Sequence, residues 1–129
     1  MRRNTIQRQL ILDTVRGQKS HPTAEVAYQL IRERYSDISL GTVYRNLSVL
    51  VEDGQIRRIS VPQAADRFEG TLLPHYHIHC RRCGVFSDLD LDYLEHLNRS
   101  VCQKTGFLIE GHDIVFDGLC PGCAVAHPG

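Results

Sequence analysis

The chain has 129 residues, and its 15 Lys and Arg balance 15 Asp and Glu, so the formal net charge is zero and by itself argues neither for nor against a nucleic-acid partner. No apolar run reaches roughly 18 residues, which excludes a spanning helix and predicts no membrane association. Met1-Arg2-Arg3-Asn4 lacks the apolar stretch of a signal peptide, so a cytoplasmic location is expected. Split at residue 60, the charge is uneven: ten basic residues against six acidic before it, five against nine after it. Six of the seven histidines also lie in the second part. A basic front can face phosphates and an acidic, histidine-rich back can hold cations.

In chain order, Asn4 is expected to cap a first helix, with Gln7 three residues on. Ile6, Leu10, Ile11 and Val15 form its apolar side, and Gly17 ends it. After His21-Pro22-Thr23 a second helix carries Val26, Ala27, Leu30 and Ile31, with Glu25 suited to the positive end of the dipole. A third helix starts after Ser39, buries Leu40, Val43, Leu47 and Leu50, and stops at Gly54. Residues 55–61 and 66–69 read as two short strands joined by a turn around Pro62. Three helices and a hairpin fit a winged helix-turn-helix, and the pattern fits a protein-interaction module equally. In the winged-helix case Gly41, Thr42, Tyr44, Arg45 and Asn46 lie near the exposed start of the third helix, where they reach phosphates and base edges.

Thr71 to Pro74 reads as the end of a linker, which sets the expected domains at 1–70 and 71–129. Beyond it, residues 75–80 and 85–89 read as strands, and Leu91, Leu94, Leu97 and Val101 mark a helix closed by Gly106. Residues 107–109 and 114–116 are two further strand candidates. This second unit has room for few core residues, so a metal staple and a C2 dimer are expected to complete it. The predicted fold class is α+β.

Two clusters carry metal-binding chemistry. Cys80-x-x-Cys83 and Cys120-x-x-Cys123 can each present two thiolates from a tight turn, and two such turns complete a tetrahedral sulfur shell for structural Zn(II). A redox dithiol or unrelated thiols are the alternatives. Cys102 is left over, and in a helix it is expected to be a small buried residue. The second cluster is His75, His77 and His79, which alternate along a strand and so share one face. Two imidazoles at i and i+2 can chelate one ion. Strand spacing does not identify the acidic residues that join them.

These motifs lead to a family. The chain resembles the ferric uptake regulator (Fur) family of metal-dependent repressors over essentially its whole length. The resemblance rests on His21-Pro22-Thr23-Ala24, Thr42-Val43-Tyr44-Arg45-Asn46-Leu47, Arg67-Phe68-Glu69, His75-Tyr76-His77, Cys80-x-x-Cys83-Gly84 and Cys120-x-x-Cys123. It implies an N-terminal winged helix-turn-helix, a small α/β dimerisation domain, and a homodimer on palindromic double-stranded DNA. Cys80, Cys83, Cys120 and Cys123 then hold structural zinc. His21, Glu69, His75, His77 and Asp88 fall where the family places its regulatory Fe(II) or Mn(II), and His79 falls outside that set. Arg2 and Arg3, with Arg45, Arg57 and Arg58, are the expected phosphate contacts in a chain that starts close to its first helix.

Within the family, Asp88 with His75-Tyr76-His77 looks like the peroxide-responsive branch, in which bound Fe(II) reacts with hydrogen peroxide and a ligand histidine, here His21 or His75, is oxidised. Tyr76 stands where iron sensors often have an acidic ligand for an additional site, of which Glu95 and His112 are candidate remnants. Glu69 departs from the peroxide branch, which commonly has Asp there. A repressor sensing iron, zinc or manganese supply directly is therefore the alternative. An enzyme is not expected, because a hydrolytic zinc enzyme needs an open coordination position and a general base, and no His-Glu-x-x-His motif is present.

Overall fold

The computed structural model describes residues 5–73 and 75–126. Two compact units divide between Leu72 and Leu73. The first holds helices α1 (Ile6–Gly17), α2 (Ala24–Arg32) and α3 (Leu40–Glu52), then strands β1 (Arg57–Ile59) and β2 (Arg67–Glu69). The second holds β3 (Tyr76–Cys80), β4 (Phe86–Leu89), α4 (Glu95–Thr105), β5 (Val115–Gly118) and α5 (Pro121–Ala126).

Each helix of the first unit begins on a hydroxyl cap. Thr5, Thr23 and Ser39 accept from the backbone N–H three residues on, at 3.1, 3.2 and 3.1 Å, satisfying a donor that the first turn leaves open. The first cap thus falls one residue later than expected, and Asn4 lies outside the described residues. The apolar stripe of α1 shifts as well: Ile11, Leu12 and Val15 are buried while Ile6 is 79 % exposed. In α2, Ala24, Ala27 and Ile31 are buried, and Val26 faces out. Val43, Leu47 and Leu50 of α3 complete this core with Ile38, Ile56 and Phe68. Each such side chain removed from water contributes roughly 1.5–3 kcal/mol.

Gly54, at φ 73°, turns the chain out of α3 in the left-handed region that glycine enters at least cost. β1 and β2 pair antiparallel, Arg57 opposite Glu69 and Ile59 opposite Arg67. Gly70 follows directly, and here a side chain has no room: a Cβ would lie 2.7 Å from Arg16 Cγ and 3.3 Å from Arg16 Cα. That close approach seats the end of β2 on α1.

In the second unit β3 is the central strand, antiparallel to β4 and parallel to β5. Alternation places His77 and His79 on one face and Tyr76, Ile78 and Cys80 on the other. Several expectations fail here. Residues 107–109 form no strand, and Phe107 and Leu108 are 70 % and 86 % exposed. None of the residues of α4 is buried, and Cys102 is exposed on it. The helix has the period of a buried face, yet the described residues leave every one of its side chains at least partly exposed. α5, which the sequence reading did not anticipate, begins at Pro121, a residue whose fixed φ suits a first helical position.

Candidate metal centres and nucleic-acid surface

The four paired cysteines meet in the second unit. β3 ends at Cys80 and β5 runs parallel beside it, with Cys80 opposite Gly118, so the two Cys-x-x-Cys turns leave the sheet side by side. Gly84, at φ 83°, closes the first turn by donating to the Cys80 carbonyl at 2.9 Å. All four sulfurs lie within 4.8 Å of one another. Cys83 Sγ and Cys120 Sγ are 3.8 Å apart, and a tetrahedron with metal–sulfur bonds of about 2.3 Å has edges of about 3.8 Å. The set therefore fits a thiolate-binding dication.

Electrostatics in this cluster are unequal. Backbone N–H groups of Cys120 and then Cys83 pull the Cys80 thiol down to about 5, so a thiolate is preformed at neutral pH. Cys123 goes the other way, to about 12, because its thiol hydrogen-bonds to Cys120 and is desolvated. Four adjacent sulfurs cannot all carry charge without a cation among them.

The other donors are oxygen and nitrogen, and each unit contributes some. In the first unit His21 Nε2 lies 3.5 Å from Glu69 Oε2, and both side chains are buried. His21 sits at φ 54°, in the left-handed region that residues with a Cβ seldom occupy. Arg67 holds it there: its Nη1 donates to the carbonyls of Ser20 and His21, at 3.1 and 3.2 Å. Phe68 N–H adds a bond to the Pro22 carbonyl at 3.0 Å. Burial lowers the Arg67 pKa from its usual value.

In the second unit, Asp88 is the direct cross-strand partner of His77. Its Oδ1 lies 3.3 Å from His77 Nε2 and 3.1 Å from His75 Nε2. His75 Nδ1 is 2.9 Å from the Leu73 carbonyl, which can only accept, so the ring proton belongs on Nδ1. Nε2, 3.1 Å from Asp88 Oδ1, is then the nitrogen that would ligate an ion, the other being held by a carbonyl as is usual for a metal-ligating imidazole. Phe86 stacks on His77, with ring centroids 5.1 Å apart.

His79 and His112 are otherwise engaged. His79 Nδ1 pairs with Asp117 Oδ1 at 2.8 Å across β3 and β5. Tyr76 Oη accepts from Leu94 N–H at 2.9 Å and lies 2.6 Å from His112 Nε2. The other His112 nitrogen donates to Asn98 Oδ1, also at 2.6 Å. Among the described residues, neither His79, His112 nor Glu95 joins a group of three potential ligands.

The expected DNA-contacting residues separate into two sets. Gly41, Tyr44 and Arg45 are exposed on α3 and Thr42 is half-buried. Arg58 is partly exposed, 3.2 Å from Ser48 Oγ and over the Phe68 ring. Asn46 differs, being buried, with its amide donating to the Thr42 carbonyl and accepting from Arg8 Nε at 3.0 Å. Arg57 also differs, since it turns inward onto Glu69 at 3.3 Å. Sequence reasoning missed Arg8, the Arg67 clamp and the Arg57–Glu69 pair. The last was readable from strand alternation only once the hairpin register was known.

A zinc-type thiolate cluster beside separate histidine and carboxylate donors, carried with a three-helix unit, defines a metal-binding regulator. The chain belongs to the ferric uptake regulator family, whose model matches residues 2–117. It is 31 % identical over 122 residues to the peroxide operon regulator of Bacillus subtilis, covering 95 % of this chain and 84 % of that one. The crystal structure of the Campylobacter jejuni peroxide stress regulator matches with a TM-score of 0.75 and 28 % identity, covering 91 % and 88 % of the two chains. The Vibrio cholerae ferric uptake regulator matches with a TM-score of 0.75 and 26 % identity, covering 92 % of each.

Proposed function

We propose that the protein is a dimeric, metal-dependent DNA-binding repressor that senses hydrogen peroxide. The identity to the Bacillus subtilis peroxide operon regulator carries this reading, and the donor chemistry of the two units supports it. The first unit acts as a winged helix, with α3 in the major groove and the β1–β2 hairpin flanking it. The second unit pairs with its copy. Cys80, Cys83, Cys120 and Cys123 hold zinc as a folding staple.

His21, Glu69, His75, His77 and Asp88 take one regulatory ion. Three imidazoles and two carboxylates suit Fe(II) or Mn(II). Since His21 and Glu69 belong to the winged helix and the other three to the second unit, a shared ion links the two. In a dimer that link sets the spacing of the paired recognition helices against a palindrome. His75 offers Nε2 because Leu73 holds its other nitrogen, and His21 is aimed by its clamped backbone. Fe(II) held by these residues would activate peroxide so that one peroxide oxygen is added to a carbon of the His21 or His75 imidazole, which gives up the net two electrons, while the other oxygen leaves as water.

Peptide mass spectrometry after anaerobic Fe(II) loading and brief peroxide exposure, with Mn(II) as control, tests the proposal. The expected result is one added oxygen on the His21 or His75 peptide, with iron only, accompanied by loss of DNA binding. Unmodified histidines with Fe(II)-dependent DNA binding intact would instead mark a sensor of metal supply, the reading favoured by Glu69.

A further inference from the structure

Glu69 is fully buried, and its two carboxylate oxygens face different partners. Oε2 lies 3.5 Å from His21 Nε2, while Oε1 lies 3.3 Å from Arg57 Nη1. A buried carboxylate requires a cation or several donors to remain ionised. Arg57 is placed for this by register, as the direct antiparallel partner of Glu69. Strand alternation turns Arg57 and Ile59 inward and leaves Arg58 outward, and the side chain of Arg57 is only 20 % exposed. A residue of the wing, where phosphate contacts are expected, thus has its charge committed to a carboxylate assigned to the regulatory ion.

We infer that Arg57 is the resident counter-cation of Glu69, that it sets the affinity of the regulatory site, and that it passes to a DNA phosphate when the metal ion takes the carboxylate. The inference rests on the regulatory-site reading above. A guanidinium and a dication on one carboxylate repel each other at close range, and the repulsion is strong where water is excluded. An ion that takes both Glu69 oxygens takes Oε1 from Arg57, and Arg57 in place opposes it. DNA phosphates and the metal ion both favour the broken Arg57–Glu69 pair, so through it each strengthens binding of the other. Such a contact makes metal affinity and phosphate affinity move in opposite directions when Arg57 is replaced.

The test uses the full-length, zinc-retaining protein, Mn(II) as a redox-inert probe, and a DNA duplex selected from random sequence by Mn(II)-loaded wild type. Calorimetric titration at a fixed pH of about 8 should find Mn(II) bound more tightly by Arg57→Gln than by wild type, by about fivefold or more. In wild type, Mn(II) should steepen the salt dependence of DNA binding by about 1.8 in log–log slope, one added phosphate contact from each protomer of the dimer. Arg57→Gln should lack that increment, and Arg57→Lys should restore most of it. Metal-free Glu69→Gln should show the steeper slope without any ion. Damage to the fold lowers Mn(II) affinity, so a gain cannot arise from it. Unchanged or weaker Mn(II) binding by Arg57→Gln, or a retained increment, overturns the inference while leaving the regulatory site standing. Wild type that binds no Mn(II) would sink the regulatory-site reading itself.

Discussion

At the scale of single residues, the backbone of His21 is the least relaxed feature of the candidate regulatory donors. A φ of 54° costs a residue with a Cβ on the order of 1–2 kcal/mol. Two bonds from the charged Arg67 guanidinium to the Ser20 and His21 carbonyls offset it. Hydrogen bonds to charged groups are worth about 1.5–3 kcal/mol. Arg67→Ala is therefore expected to destabilise the protein by about 2 kcal/mol in chemical denaturation and to weaken Mn(II) binding, because the His21 imidazole is no longer aimed. Equal midpoints and equal Mn(II) affinity in the two proteins would remove Arg67 from this role. Arg67 was visible in the sequence only as part of the stretch carrying the family resemblance. Its partners are backbone carbonyls of residues 46 and 47 positions earlier, which no spacing rule reaches.

At the scale of elements, the helices of the first unit were legible because amphipathic period and hydroxyl caps act locally. The core stripe of α3 survives almost unchanged, whereas α1 slips by one residue because Thr5 rather than Asn4 supplies the cap oxygen. The strand at 107–109 failed for a different reason: an apolar triplet says that a segment wants cover, not which element provides it. The cysteine turns were legible as pairs, but their convergence depends on the parallel pairing of β3 with β5. That pairing has a consequence for pH. Metal ligation requires every thiol as thiolate, and Cys123, at about 12, is protonated throughout the neutral range. Zinc held by all four sulfurs would have to expel at least that proton, so its affinity is expected to rise with pH by about tenfold or more per unit between roughly pH 6 and 8. Cys80, at about 5, is already ionised there and adds its own proton to the dependence only in acid, steepening the fall below about pH 5. Competition with a chelating dye across this range measures the slope, and a pH-independent affinity would contradict the four-thiolate assignment.

At the scale of the whole molecule, the two units differ in how well they bury themselves. The contiguous core cluster among the described residues belongs wholly to the first unit. In the second, the buried residues are Tyr76, His77, His79, Cys80 and Phe86, three of them polar or metal-directed. Leu91, Val101, Phe107, Leu108 and Phe116 meanwhile stand 44–86 % exposed. Apolar side chains so exposed call for cover, and a second copy buries the same residues twice by symmetry. Phe107→Glu with Leu108→Glu places charge at the two most exposed of these five positions. Wild type is expected to sediment as a dimer at micromolar concentration, and the double variant as a monomer. The variant's operator affinity should fall by several orders of magnitude, since one recognition helix then acts without its twin. Circular dichroism and zinc content distinguish this outcome from loss of the fold: a folded, zinc-loaded monomer supports the interface, and an intact dimer places it elsewhere on the second unit.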